Sequence, residues 1–364
     1  MRLAGLTAIA AIVLTVVAAP VRGQDVLGDN SMVSGAGSTF AFPVLSRWAA
    51  GYQRFVAGGA TVAVAGSGLE DPPTRPALAY EPSGSLAGMM RVKGAAVDFG
   101  ATDFPMSSAD LAKAGLAQFP FVIGGIAVVV NIDGVQAGKI TFTGPVLADI
   151  FLGAITSWSD PAIAALNPDL KLPDARIVVI HRSDGSGTTF NFTDYLGKVS
   201  PTWKTKVGSD LLVTWPTGRG AKGNDGVAEA VKRTPSSIGY VEFARAVQAR
   251  LTYAVLRNKA GRDIVPSAKA FAAAAAGADW RGAGDFQLLL TDAAGDDSYP
   301  IVATAFALMR KNAPQSRTRA TLDFFTWSFE KGADEAARLG YVPLPAALVD
   351  QVKVSWSTSL QPRR

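Results

Sequence analysis

The run Arg182-Ser183-Asp184-Gly185-Ser186-Gly187-Thr188-Thr189 gathers a guanidinium, a carboxylate, two glycines and several hydroxyls in one short turn. Before it lies the apolar, strand-like Ile177-Val178-Val179-Ile180, and after it Phe192, Tyr195, Leu196 and Val199 recur at helical spacing. A glycine- and serine-rich turn between strand and helix points unpaired backbone N–H groups and hydroxyls at one spot, and the helix N-terminus adds partial positive charge there. Arg182 brings a planar fork of donors that suits two oxygens of an oxyanion, and Asp184 is placed to hold that fork still. The chemistry these residues imply is the capture of a small anion.

The same grammar occurs twice upstream. Gly35-Ala36-Gly37-Ser38-Thr39-Phe40 precedes a helical pattern in which Leu45, Trp48, Tyr52 and Phe55 share a face, with Pro43 tolerated in its first turn. Ser83-Gly84-Ser85 opens a segment ending in Asp98-Phe99-Gly100-Ala101-Thr102-Asp103. Each turn alone is ordinary helix capping; three of them with an arginine form a constellation. His181, the single histidine, reads as a partly buried structural residue, and Asp98 and Glu70-Asp71 read as partners of surface cations. One histidine and no cysteine leave little material for a catalytic triad, a thiol nucleophile or a zinc site.

Strand-like runs alternate with helical patterns along the chain, which predicts α/β layers with parallel sheets rather than a sandwich. The expected strands are 61–64, 95–100, 126–132, 176–180, 238–241 and 300–308, and helices are expected after Gly144, Thr188, Gly226 and Arg317. The alanine run after Phe271 is a good helix former without functional signal. With 364 residues, 48% of them apolar and 18% charged, the chain has room for two cored domains. A formal charge of +5 and no Lys/Arg cluster interleaved with aromatics argue against nucleic acid as a partner. Residues 1–23 read as a secretory signal peptide, with Arg2 before an apolar stretch and cleavage after Gly23 or Ala19.

Taken in order, these residues resemble the phosphate-binding protein family of bacterial phosphate ABC transporters, from about Ser34 to Thr358. The resemblance takes in Trp48-Ala49-Ala50-Gly51-Tyr52-Gln53, Phe119-Pro120-Phe121-Val122-Ile123-Gly124-Gly125 and Gly153-Ala154-Ile155-Thr156-Ser157-Trp158. It continues through the Arg182 turn, Gly220-Ala221-Lys222-Gly223-Asn224-Asp225-Gly226, Ile238-Gly239-Tyr240-Val241-Glu242 and Ala278-Asp279-Trp280. It implies a periplasmic-binding-protein fold of type II: two α/β lobes joined by two crossing strands, with a ligand cleft between them. Lobe I would be 24–121 plus 301–364 and lobe II 122–300, with crossings near 119–124 and 299–304. The implied ligand is inorganic phosphate, delivered by a non-catalytic, cofactor-free monomer to the permease and ATPase of an inner-membrane transporter. With no cysteine to carry a lipid, the mature chain is expected free in the periplasm. The competing readings are a binder of sulfate, molybdate or an organophosphate, and a secreted phosphatase-like relative.

Carried across residue by residue, the resemblance implies ligand contacts from Thr39, Phe40, Ser85, Asp103, Arg182, Ser186, Gly187 and Thr188, with Ser38 and Asp184 in support. The stretch Lys222 to Gly226 is expected as a loop that braces the cleft, since Asn-Asp-Gly is strong turn chemistry. Burying a bare dianion costs tens of kcal/mol, and charge-assisted hydrogen bonds return roughly 1.5–3 kcal/mol each, so about ten donors are needed. Asp103 then acts as a filter: phosphate still carries a proton that a carboxylate can accept, and sulfate does not. This chain departs from the resemblance in a longer, Pro-rich stretch over 66–82. Counting back from Asp98-Phe99-Gly100 selects Ser85, with Ser83 and Ser67 as alternatives.

Overall fold

Short apolar runs set the strands. The computed structural model describes residues 32–58 and 77–360. The strands are β1 (Val33–Gly37), β2 (Leu78–Glu81), β3 (Phe99–Thr102), β4 (Leu116–Asn131), β5 (Thr141–Phe142) and β6 (Val178–Arg182). They continue with β7 (Arg219–Ala221), β8 (Ser237–Glu242), β9 (Thr252–Tyr253), β10 (Val255–Arg257), β11 (Asp263–Ile264) and β12 (Val302–Arg310). The signal-peptide segment, the expected strand 61–64, Ser67 and Glu70-Asp71 lie outside the described residues.

The large sheet runs β2-β1-β3-β12-β4-β8-β6-β7, with β9 also on β4, and β11-β10-β5 form a small second sheet. Its organising element is β4, buried along its length up to Asn131, as expected of a strand covered on both faces. Its first part, Leu116 to Gly125, pairs with β12, and its second, Ile126 to Asn131, pairs with β8. The sheet therefore has two halves sharing one strand. Register then places their edges. Thr102 at the end of β3 pairs with Phe306, which pairs with Pro120, while Glu242 at the end of β8 pairs with Ile126. The carboxyl ends of both strand sets thus meet over the middle of β4, where open α/β sheets collect ligand sites.

The strands β1, β2 and β3 are parallel, as are β6, β7 and β8, but β4 and β12 are antiparallel to their neighbours. The sheet is mixed: the parallel strands expected from the sequence are present in both halves, and β4 and β12 run against them. The reason is topological: a chain that crosses between two halves and returns must run once in each direction. The change of partner falls at Gly125–Ile126, one step beyond the expected 119–124, and β12 begins inside the expected 299–304. Glycine is required there. A Cβ on Gly124 would lie 2.9 Å from the Phe40 and Tyr341 rings, and one on Gly125 would lie 2.1 Å from the Phe271 ring.

The expected helices form as Phe42–Gly58, Gly144–Leu152, Gly187–Val199, Gly223–Arg233, Ala268–Ala276 and Gln315–Lys331. In the first of them Leu45 and Trp48 are buried as expected, whereas Phe55 is 58% exposed. Phe325 packs edge-on to Phe119 with centroids 5.1 Å apart, and Trp356, on the helix Ala346–Ser359, packs edge-on to the same ring at 5.1 Å. The expected strand 95–100 is displaced: Ala95 takes a left-handed turn (φ 58) after the helix Ser85–Lys93, so pairing starts only at Phe99. No helix among the described residues is long and apolar enough to cross a membrane.

Candidate functional site

Arg182 ends β6 and the helix Gly187–Val199 starts five residues on, capped by Ser186 Oγ, which accepts the Thr189 N–H at 3.0 Å. Arg182 is only 3% exposed. Its Nε and Nη2 donate to Asp184 Oδ1 and Oδ2 at 2.8 and 2.6 Å, the bidentate geometry of a guanidinium–carboxylate pair. Asp184 Oδ1 also accepts the Gly223 N–H at 2.9 Å. Burial pushes the Asp184 carboxyl up, but the bonds and charge of Arg182 and the Gly223 amide outweigh it and hold it below the usual range. Two of the three guanidinium nitrogens are thus fixed. The third, Nη1, is buried and has no hydrogen-bond partner among the described residues.

Facing it from the other half of the sheet is Asp103, 1% exposed, just past the end of β3. Ser38 Oγ donates to Asp103 Oδ1, and Thr188 Oγ1 donates to Oδ2 at 3.4 Å. Burial raises the Asp103 carboxyl to about 7, against the opposing pull of Ser38, Arg182 and Thr188. Ser85 opens its helix between the two halves: its Oγ accepts the Asp103 N–H at 3.3 Å and the Gly187 N–H at 3.0 Å. Ser85 thus bridges Asp103 and Gly187; the Ser83 hydroxyl, two residues before it, is buried without a partner among the described residues. Thr39 Oγ1 accepts two bonds from Asn224, and the Phe40 carbonyl accepts the Tyr341 hydroxyl at 2.6 Å under an edge-on ring contact.

Of the ten residues singled out from the sequence, Ser38, Ser85, Asp103, Gly187 and Thr188 are joined by direct hydrogen bonds. Thr39 is joined to Thr188 through Asn224, and Arg182 and Asp184 are tied in through Gly223. Phe40 and Ser186 adjoin them in sequence, Phe40 bonded to Tyr341 and Ser186 capping its own helix. The structure adds others. Asn191 Nδ2 donates to the Asp103 carbonyl at 2.7 Å, and the Tyr240 hydroxyl lies 2.7 Å from Thr189 Oγ1 and accepts the Arg182 N–H at 3.3 Å. Glu242 caps the helix Phe243–Gln248, and burial raises its carboxyl to about 8. Asn191 left no sequence signal, and Tyr240 figured only as part of the stretch Ile238 to Glu242. Asn224 was visible only as turn chemistry, yet it begins a helix. His181 is structural: its ring stacks on Trp215 at 4.7 Å, and Nδ1 donates to the Arg182 carbonyl at 2.9 Å. Asp98 does pair with a cation, Arg317.

The raised carboxyls carry a sign. Between about pH 4 and 8 the folded protein holds protons on Asp103 and Glu242 that the unfolded chain has released, so these groups make stability fall as pH rises through that window. His181, pulled down by burial, works in the opposite direction. The comparison that isolates Asp103 is Asp103→Asn against wild type, both free of any bound anion. The variant's melting temperature should fall less between about pH 5 and pH 8, each unit of the Asp103 shift counting about 1.4 kcal/mol. Parallel curves for the two proteins would mean that Asp103 is not a burial-raised carboxyl.

Chemically, the site offers one unsatisfied guanidinium nitrogen, hydroxyls from both halves, helix N-termini and the carboxyl of Asp103. That set fits a small oxyanion that itself carries a proton. No group of three or more His, Asp or Glu suited to a metal occurs among the described residues.

Residues 17–331 match the sequence profile of the PBP superfamily domain. The phosphate-binding protein PstS of Xylella fastidiosa (strain 9a5c) is 48% identical over 330 residues, covering 90% of this chain and 86% of its own. The phosphate-binding protein PstS of Pasteurella multocida (strain Pm70) is 44% identical over 330 residues, covering 90% and 91%. Among solved structures, the high affinity periplasmic phosphate-binding protein PfluDING, bound with phosphate, matches with a TM-score of 0.63 at 21% identity, over 89% of this chain and 93% of that one. At that identity the likeness speaks for the fold.

Proposed function

Because the chain belongs to the PBP superfamily and, within it, to the PstS phosphate-binding proteins, we propose that it captures inorganic phosphate and delivers it to an inner-membrane ABC transporter. The observation that carries this reading is Arg182 Nη1: a buried, charged donor with no partner among the described residues, held by Asp184 and set beside hydroxyls and a carboxyl raised to about 7. A buried cationic donor left unsatisfied is costly unless an anion completes it. The ligand contacts are Thr39, Phe40, Ser85, Asp103, Arg182, Ser186, Gly187 and Thr188. The protein acts without catalysis, as a periplasmic monomer, with residues 1–23 serving as a cleaved signal peptide. Its transporter partner comprises permease and ATPase subunits.

In this reading the two halves of the sheet are lobes, 24–121 plus 301–364 and 122–300, and phosphate favours the arrangement in which they meet. Gly187 supports it. A Cβ there would lie 2.7 Å from Asp103 Cβ, Asp103 N and Ser85 Oγ, so only glycine lets the second lobe's helix reach the first. Added phosphate should lower the radius of gyration and raise the melting temperature of wild-type protein. Gly187→Ala should stay folded but bind phosphate at least about tenfold more weakly, one misplaced contact of this kind being worth 1–3 kcal/mol. Small-angle scattering that shows the same compactness with and without phosphate would remove lobe closure from the account.

A further inference from the structure

We propose that Asn224 is a positioning residue that turns the hydroxyls of Thr39 and Thr188 into donors for the bound anion; the proposal rests on the phosphate reading above. Asn224 is 1% exposed, in the first turn of the helix Gly223–Arg233. Its Oδ1 accepts the Glu242 N–H at 3.2 Å. A backbone amide can only donate, so this contact fixes which end of the Asn224 carboxamide faces which way. The Nδ2 group therefore points at the threonines, 3.1 Å from Thr39 Oγ1 and 3.4 Å from Thr188 Oγ1, with one hydrogen for each.

The consequence follows from counting lone pairs. A hydroxyl has one O–H to donate and two lone pairs with which to accept. Thr39 Oγ1 accepts from Asn224 Nδ2 and also from the Asn224 main-chain N–H at 3.2 Å, so both of its lone pairs are used and its proton is all it has left to offer. Thr188 Oγ1 has one lone pair taken, leaving its proton to turn between Asp103 Oδ2 and a ligand oxygen. Thr39 follows β1 in one half of the sheet and Thr188 opens a helix in the other. One carboxamide therefore sets donors on both sides of the site at once. The adjoining Gly223 N–H holds Asp184, and through it Arg182. An aspartate at 224 would present acceptors instead and draw both threonine protons away from the anion.

A double-mutant cycle read by calorimetric titration with inorganic phosphate tests this, using wild type, Asn224→Ala, Thr39→Val and the pair. Asn224→Ala should lower phosphate affinity on the order of 10- to 100-fold. In the Thr39→Val background the same change should cost at least about threefold less, because the hydroxyl it orients is already gone. A residue that merely shaped the helix start would cost the same in both backgrounds, and that additivity overturns the proposal. Unchanged affinity in folded Asn224→Ala overturns it too. If wild-type protein takes up no phosphate, the underlying reading fails instead, so the two failures are distinct. Should Asn224→Ala not fold, Asn224→Ser runs the same cycle with the same two outcomes.

Discussion

Arg182→Ala is expected to fold and to lose phosphate affinity by at least about a hundredfold. Charge-assisted hydrogen bonds contribute roughly 1.5–3 kcal/mol each, and removing one partner of a buried charge pair costs about 3–5 kcal/mol. Part of that second cost appears as lower stability, because Asp184 keeps its Gly223 contact but loses the guanidinium. Far-UV circular dichroism should therefore match wild type while the melting temperature drops. Arg182→Lys separates charge from geometry: an ammonium cannot grip Asp184 bidentately and also present a third nitrogen, so its affinity should fall between the two. A well-folded Arg182→Ala protein with near-native affinity would take this residue out of the site.

Asp103→Asn should weaken discrimination against sulfate far more than it weakens phosphate binding. In wild type Asp103 Oδ1 is engaged by Ser38, and the longer contact of Oδ2 with Thr188 leaves that oxygen able to accept a proton from the ligand. Sulfate has no such proton and meets carboxylate oxygen with its own oxygen. A site whose buried polar group is left unpaired can reject an analogue by ~10⁴–10⁵. An amide can turn its N–H₂ to a proton-free oxyanion, so two or more of those orders of magnitude should disappear. The raised carboxyl adds a pH signature. Above about pH 7 Asp103 is ionised and the filter is strict; below it the protonated group can donate to sulfate, and discrimination should relax. In Asp103→Asn that dependence should flatten. Equal rejection of sulfate by both proteins at pH 8 would end the filter explanation.

What could be read from the residues follows from how local each signal is. The Arg182 turn was legible because strand, turn and helix are contiguous, and Ser186 capping its own helix is a property of four neighbouring residues. Ser85 could be reached by counting from Asp98-Phe99-Gly100 because the helix between them has a fixed length. The meeting of Asp103, Ser85 and Gly187 was reachable only through family resemblance, since those contacts span up to 102 residues. Strand direction was not legible either: hydrophobic periodicity is the same for β4 whichever way its neighbours run, and the mixed sheet comes from the crossing. Ala95-Ala96-Val97 looked like strand because small apolar residues suit both states, and the left-handed Ala95 settled it as a turn. Asn224 was hidden by its own propensity, since Asn before Asp-Gly reads as turn whether its carboxamide faces solvent or two threonines.

The most direct measurement is isothermal titration of phosphate-stripped wild-type protein with phosphate and, separately, with sulfate at about pH 8, where Asp103 is ionised. The account predicts saturable phosphate binding at one site per chain and sulfate binding at least ~10⁴-fold weaker. Comparable affinity for both anions, or no phosphate binding by folded protein, would contradict it.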